Sequence, residues 1–315
     1  MHMLNFESTP IHELHEHLNN NKFYIKRDDL LPVSFGGNKA RKAILFFNDL
    51  KQKKCDCIVT YGSSSSNHCR VIANIAAANG TPCHIISPTE SSYPTSNSEM
   101  IKLFGAFVTK CLVSQVSITI ESKMNELRAK GYKPYFIQGG GHGDIGTQSY
   151  VNAYDEILDY EKSSGMYFDF IFHTTGTGTT QAGLVCGKIL HDDDREIVGI
   201  SNARKNPYGS KVVLDSVNSY LLSQDREPIV SESIVFIDDY ILDGYGSYNR
   251  EILQTIKDIL INDGIPMDTT YTGKAFWGMK EYIKKNRITD KNILFIHTGG
   301  TPLFFDKLED LKNER

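Results

Sequence analysis

The sequence predicts an α/β protein with two open parallel-sheet domains. Three observations lead there. From residue 43 to 150, short runs of branched and aromatic residues alternate with helix-like runs. After residue 150 the same alternation begins again on a fresh set of strands. Strand and helix in that order imply parallel pairing through right-handed crossovers. Glycine-rich loops follow several of these strands, and folds of this kind hold ligands at the C-terminal edges of their strands.

Taken in order, Lys22 to Lys26 reads as a short strand, and Arg27-Asp28-Asp29 as a polar turn into a glycine loop, Ser34 to Asn38. Lys39 to Lys51 sets Ala43, Phe46, Phe47 and Leu50 on one stripe and reads as a helix. Cys57 to Tyr61 is a buried-strand pattern, Asn67 to Ala78 an Ala-rich helix, and His84 to Ser87 a strand. A polar loop, a helix, the strand Ala106 to Thr109 and the helix Val116 to Lys130 follow. Tyr135 to Gln138 is a strand that ends in three glycines. The second set comprises a helix from Gln148 to Glu161, a strand from Phe168 to Phe172 and a helix from Gln181 to Leu190. Strands at Glu196 to Ile200 and Ser233 to Ile237 flank a helix, Lys211 to Leu222. Helices at Arg250 to Asn262 and Lys274 to Lys285 lead to the last strand, Asn292 to Ile296, which runs into His297-Thr298-Gly299-Gly300.

Composition narrows the function. The chain has 315 residues, enough for one large or two ordinary domains, and its 40% apolar and 23% charged residues are those of a globular protein. A net charge of −4 argues against nucleic acid or an anionic membrane as the main partner. No apolar run reaches the length of a bilayer span, and Met1 to Glu16 lacks the pattern of a secretion signal. The six cysteines are scattered, and Cys55-Asp56-Cys57 has no second pair to complete a zinc site. Reduced thiols, a cytoplasmic location and no metal are the expectation.

The chemistry centres on Lys39. It follows a Gly-Gly-Asn loop and sits in the first turn of its helix, where a cation opposes the helix dipole. Shielded from water as well, its amine loses a proton more readily, and a neutral amine is what condensation with an aldehyde requires. The plainer reading is a solvated lysine on a surface helix. The loop Gly176 to Thr180 follows a strand and opens a helix, so its N–H groups and hydroxyls suit a phosphate. It lacks the Lys of a Walker loop, and Gln181 stands where a dinucleotide fingerprint has its third glycine. Ser66-Asn67-His68 opens the Ala-rich helix; Ser66 there is either a helix cap or a receptor for a substrate carboxylate. Tyr245 and Tyr271 each precede a helix in glycine-containing loops, and Thr298 ends the last strand.

Together, Lys26-Arg27-Asp28-Asp29, Gly37-Asn38-Lys39-x-Arg41-Lys42, Ser66-Asn67-His68-x-Arg70, Thr177 to Gly183, Tyr271-Thr272-Gly273-Lys274 and His297 to Gly300 form a set. It resembles the pyridoxal-phosphate (PLP) enzymes of the aminocyclopropane-carboxylate deaminase and D-cysteine desulfhydrase family, over nearly the whole chain and in order. Divergence concentrates at Ser63 to Ser65 and Gly141 to Asp144. The resemblance implies a tryptophan-synthase-β-like fold (fold type II). Residues 1–42 and 153–315 would form the large PLP-binding domain, and 43–152 a smaller inserted one. It implies that Lys39 carries the cofactor. Lys42 and Thr177, Gly178, Thr179 and Thr180 would hold its phosphate, Asn67 its phenolic oxygen and Thr298 its ring nitrogen. Ser66, Asn67 and His68 would receive the substrate carboxylate, with Ser66, Tyr245 and Tyr271 taking part in catalysis. The deaminases carry Glu at the position of Thr272 and Leu at that of Thr298, whereas the desulfhydrase-like members have Thr at both. The expected activity is β-elimination on a small amino acid, D-cysteine first, by a homodimer. Ring opening of aminocyclopropane carboxylate, elimination from serine, chloroalanine or cysteate, a nucleotide-binding dehydrogenase and an inactive PLP-binding relative are the alternatives.

Overall fold

The computed structural model describes residues 8–91 and 93–313; the first seven residues of the stretch read for a secretion signal lie outside it. The chain opens with β1 (Ile11–Leu18) and β2 (Asn21–Lys26), then α1 (Asn38–Gln52). A four-stranded unit follows: β3 (Cys57–Tyr61), α2 (Asn67–Ala78), β4 (Cys83–Pro88), α3 (Ser96–Leu103), β5 (Phe107–Cys111), α4 (Val116–Ala129) and β6 (Pro134–Ile137). Then come α5 (Asp144–Ser164), β7 (Phe170–Thr175), α6 (Thr179–Leu190), β8 (Glu196–Ser201), α7 (Tyr208–Ser223) and β9 (Val235–Ile237). The chain closes with α8 (Arg250–Asp263), α9 (Thr272–Lys285), β10 (Asn292–Ile296), α10 (Thr301–Phe305) and α11 (Leu308–Asn313).

Two sheets result. The smaller has order β5-β4-β3-β6 and is parallel throughout. The larger has order β1-β2-β10-β7-β8-β9, parallel except for β1, which pairs antiparallel with β2 at the edge. Successive side chains of a strand face opposite sides of a sheet, so a strand buried on both faces reads as a continuous apolar run. In β10, Ile293 and Phe295 pack with α8 and α9, while Leu294 and Ile296 pack with α5, α6 and α7. In β3, Ile58 joins α1 and α2, while Cys57 and Val59 face Met124 and Leu127 of α4.

β1 corrects the sequence reading, which held no strand there. The helix α5 also starts four residues earlier than the predicted Gln148, and it runs unbroken past residue 152. Among the described residues no helix is long and apolar enough to cross a membrane, and all six cysteines are unpaired.

The last strand in sequence lies inside the larger sheet beside β2, which brings the segment after β10 against the segment after β2. The His297 N–H donates to the Lys26 carbonyl at 2.9 Å, and the Asn38 N–H to the Thr298 carbonyl at 3.0 Å. This approach requires glycine at 37: with φ at +91°, a Cβ there would lie 2.5 Å from the Thr298 carbonyl oxygen. Arg70 of α2, fully buried, donates from Nη1 to the Ser34 carbonyl and hydroxyl, holding the loop ahead of Gly36. Loop and central strand together fix where α1 begins.

Candidate active site

One cavity of about 450 Å³ collects the C-terminal ends of β3, β6, β7, β8 and β10, the edge at which parallel folds hold ligands. Of the residues singled out from sequence, Lys39, Ser66, Asn67, His68, Thr177, Gly178, Thr180, Tyr245, Tyr271 and Thr298 line it. Lys42 and Thr179 sit behind that lining, fully buried and bonded to each other.

Lys39, the second residue of α1, reaches the cavity and donates to the Gly140 carbonyl at 3.0 Å. Burial, and then the charge of Arg204, lower its amine to a pKa of about 8. Burial is the shielding from water that the sequence reading required of this first-turn lysine, and the Arg204 charge adds to it. Lys42 Nζ donates to Thr179 Oγ1 at 2.6 Å, and its pKa is pushed well below the ordinary value by burial and then by Lys39. Asn38 Nδ2 donates to Thr180 Oγ1 at 3.0 Å, tying α1 to the start of α6. The cap of α6, Gly178, has φ +98° and gives no side-chain cap to the helix. Its first N–H groups are thus without a side-chain cap, beside Lys42 on Thr179 and at the cavity through Gly178 and Thr180.

Three walls complete the site. Ser66 caps α2, its Oγ accepting from the Cys69 N–H at 3.2 Å, so the capping role is real and the residue also faces the cavity. Asn67 Oδ1 accepts from Asn97 Nδ2 at 2.9 Å, and Asn97 also donates to the Ser65 carbonyl at 2.8 Å. That leaves the Asn67 amide N–H groups for the cavity. His68 is buried, with Nε2 2.8 Å from Thr60 Oγ1; since that hydroxyl donates to the Ile137 carbonyl, Nε2 carries the proton. Burial, Lys39 and Lys42 keep the His68 ring neutral. His142 donates from Nδ1 to the Thr177 carbonyl at 3.1 Å.

The tyrosines meet with their hydroxyls 2.5 Å apart and their rings edge to face, and Ser65 Oγ is 3.3 Å from Tyr245. Burial, and then Tyr245, raise Tyr271 well above the ordinary phenol value. Two buried residues to which sequence reasoning gave no role, Asp268 and Lys274, set this pair. Asp268 accepts from the N–H groups of Thr270, Tyr271 and Thr272 and so fixes the start of α9. Lys274 of α9 donates to the carbonyls of Ile241 at 3.1 Å and Gly244 at 3.0 Å, clamping the loop that carries Tyr245. Thr272 is turned away from the cavity, its hydroxyl 3.0 Å from Asp268 Oδ1.

A half-apolar cavity with a lysine of depressed pKa, a second buried lysine with no carboxylate partner among the described residues and a helix N-terminus without a side-chain cap is suited to an aldehyde that carries a phosphate. The chain belongs to the pyridoxal-phosphate-dependent enzymes: the model of that family matches residues 3–299. The fold is that of type II PLP enzymes, and PLP is the cofactor.

Among solved structures, an ACC deaminase homologue superposes with a TM-score of 0.88 at 29% identity, covering 100% of this chain and 95% of its own. An O-acetyl serine sulfhydrylase from Entamoeba histolytica gives 0.67 at 18% identity, over 96% of this chain and 88% of its own. A hydrogen sulfide-producing enzyme from Fusobacterium nucleatum gives 0.65 at 17%, over 93% and 96%. The last two share the fold. The site fits the cofactor on its own terms: among the described residues Lys42 is a buried amine bonded to the Thr179 hydroxyl and to no carboxylate, its pKa held down by burial and Lys39, and a phosphate beside the α6 N-terminus would favour its charged form.

Proposed function

We propose that this enzyme is a carbon–sulfur lyase that eliminates the β-substituent of a small amino acid, D-cysteine first, giving pyruvate, sulfide and ammonia. In this reading Lys39 holds the cofactor and is the base for the Cα proton. Lys42 and the Thr177 to Thr180 loop hold the phosphate, and Asn67 donates to the phenolic oxygen. Ser66, Asn67 and His68 receive the carboxylate, and Tyr245 and Tyr271 handle protons at the substrate. When bound, PLP supplies an electron sink for the carbanion at Cα.

The observation that carries this reading is the neutral hydroxyl of Thr298 at the cavity, with Thr272 committed to Asp268. A carboxylate partner keeps a ring nitrogen protonated and the sink deep; a hydroxyl does not. Elimination tolerates the shallower sink because a leaving group on Cβ takes the electrons away. Opening a cyclopropane has neither an external leaving group nor a Cα proton to begin from. Keto-acid release from D-cysteine and from aminocyclopropane carboxylate, measured side by side, tests this. Faster 2-oxobutyrate release from the cyclopropane than pyruvate release from D-cysteine would overturn it.

We keep the division into 1–42 with 153–315 and 43–152 as a proposal, supported by the separate sheets and crossed by α5 at residue 152. A homodimer in the cytoplasm is likewise proposed. The six unpaired thiols support the compartment, and light scattering of the purified protein checks the dimer.

A further inference from the structure

The loop after β8 brings a residue to the cavity that none of the roles above uses. Arg204 lines the cavity. Its backbone is fixed: the Arg204 carbonyl accepts from Ser201 Oγ at 2.7 Å, and the Ala203 N–H donates to the same hydroxyl at 3.3 Å. Asn206 is tied down by its N–H to Asp238 at 2.8 Å and by its side chain to the Phe236 carbonyl at 3.1 Å. None of these bonds engages the guanidinium. Its Nη1 is buried without a hydrogen-bond partner among the described residues, and its flat face lies 5.4 Å from the centre of the Tyr208 ring. A charged donor shut away from water and left unpaired is costly, so a cavity anion is its natural partner.

Arg204 is the first charge felt at Lys39; at His142, bonded to Thr177, it is felt after Lys42. At Lys42, beside the α6 N-terminus, the charge felt is that of Lys39. The Arg204 charge thus bears first on the amine of Lys39. The N-terminus of α2 rises from the smaller sheet and Arg204 from the larger, so the two contribute different walls. A substrate with its α-carboxylate on the first has its other end free for the second.

We propose that the Arg204 guanidinium receives the negative charge that a sulfur substituent on the substrate's Cβ carries or develops, so that the enzyme selects amino acids whose leaving group is sulfur, a thiol departing as hydrosulfide or a sulfonate departing as sulfite. The proposal rests on the β-elimination reading. The Cα proton passes to Lys39 and its electron pair becomes the Cα–Cβ double bond. The Cβ–S bond breaks and its pair leaves on sulfur, as hydrosulfide or sulfite. Water then converts the enamine to keto acid and ammonia. The planar fork of arginine matches the oxygens of a sulfonate and stabilises a departing sulfide by charge.

The test uses the holoenzyme with Arg204→Gln and Arg204→Lys. Binding of cysteate and of alanine, each in both enantiomers, is followed by the shift of the visible cofactor band, a readout that needs no turnover. We expect cysteate to bind about tenfold or more tightly than alanine, R204Q to abolish that preference, and R204K to restore part of it. In turnover, R204Q lowers kcat/KM for D-cysteine about tenfold or more but for β-chloroalanine, whose chloride leaves unaided, by less than about threefold. Cysteate binding that is unchanged in R204Q overturns the proposal. Loss of bound PLP from R204Q assigns the guanidinium to the cofactor phosphate and overturns it too. If no substrate yields keto acid while the preference for cysteate still depends on Arg204, the elimination reading fails and the anion site stands.

Discussion

Arg41 and Lys42 are neighbours on α1, both inside the protein at 3% and 1% exposure, and the fold treats their charges in opposite ways. Arg41 forms a two-bond fork with Asp28 at 2.7 and 2.8 Å and reaches Glu156 at 2.6 Å. Lys26 and Tyr150 close the network on the same two carboxylates. Burial alone would raise the Asp28 carboxyl, but the Arg41 charge and its hydrogen bonds prevail and hold it at about 2. Lys42 has a hydroxyl and no acid. A paired buried charge positions the helix; an unpaired one is kept for a ligand. Lys39, one turn earlier, belongs to the second kind.

Breaking each member should therefore fail in a different way. The largest effect falls on Lys39→Ala, which we expect to lose at least about 10³-fold in activity, with the yellow cofactor band lost or shifted and folding unchanged. Borohydride reduction of the wild type followed by peptide mapping should label Lys39, and a label on another lysine removes the assignment. Arg41→Met leaves the buried Asp28 carboxylate with only the Thr9 and Tyr150 hydroxyls and should cost about 3–5 kcal/mol in chemical denaturation. Lys42→Met should do the reverse to the apoprotein, raising its stability by about 1 kcal/mol, while the protein retains PLP poorly. Apo Lys42→Met that is less stable than wild type would erase the distinction.

The two unpaired lysines also sharpen the comparison through pH. Both have amines below their unfolded value of 10.5, so in the window between folded and unfolded pKa the unfolded chain binds more protons. Their burial penalty is full below that window and disappears as pH rises through it. The stability advantage of apo Lys42→Met over wild type should shrink steadily toward pH 10.5. Uptake of PLP by the apoprotein should speed up as pH rises through about 8, where Lys39 becomes neutral, and level off above. Uptake that is flat between pH 7 and 9 would show that the Lys39 amine is not depressed.

The contrast between these neighbours also marks what was legible in sequence. The apolar stripe and the glycine loop placed α1, and the helix α2 appeared over the very span predicted, because each is set by residues adjacent in the chain. The strand β1 was invisible: Ile11, Leu14 and Leu18 are spaced by three and four, as in a helix, and only Leu14 is buried. It exists through antiparallel pairing with β2 across a bulge. The start of α5 was hidden by Gly143 and Gly146, poor helix formers in isolation. Gly146 is there because a Cβ would come within 2.0 Å of the Gly141 carbonyl. In the site, residues carried by contiguous motifs were found. Asn97, Asp268 and Arg204 were not, since their partners are brought to them by folding alone. Lys274 stood inside a quoted motif, but its acceptors lie about thirty residues away in a loop.

The smallest expected effect concerns Ser66, where one side chain has two candidate duties. Its hydroxyl caps α2 through the Cys69 N–H and also faces the cavity. Ser66→Ala removes both at once and should cost about 1 kcal/mol of stability, whatever happens to turnover. Glycine separates them, because at a helix cap it costs only a few tenths of a kcal/mol while still deleting the hydroxyl. If the hydroxyl acts on substrate, Ser66→Gly and Ser66→Ala should lose turnover or substrate affinity alike, with the cofactor spectrum kept, although they differ in stability. If Ser66 is a cap and nothing more, the kinetics should follow the stability, and Ser66→Gly should behave as wild type. Parallel denaturation and steady-state measurements on the two variants decide between them. The first outcome would put Ser66 with Lys39 and Lys42 among groups kept for a ligand, the second with Arg41 among those that hold the fold.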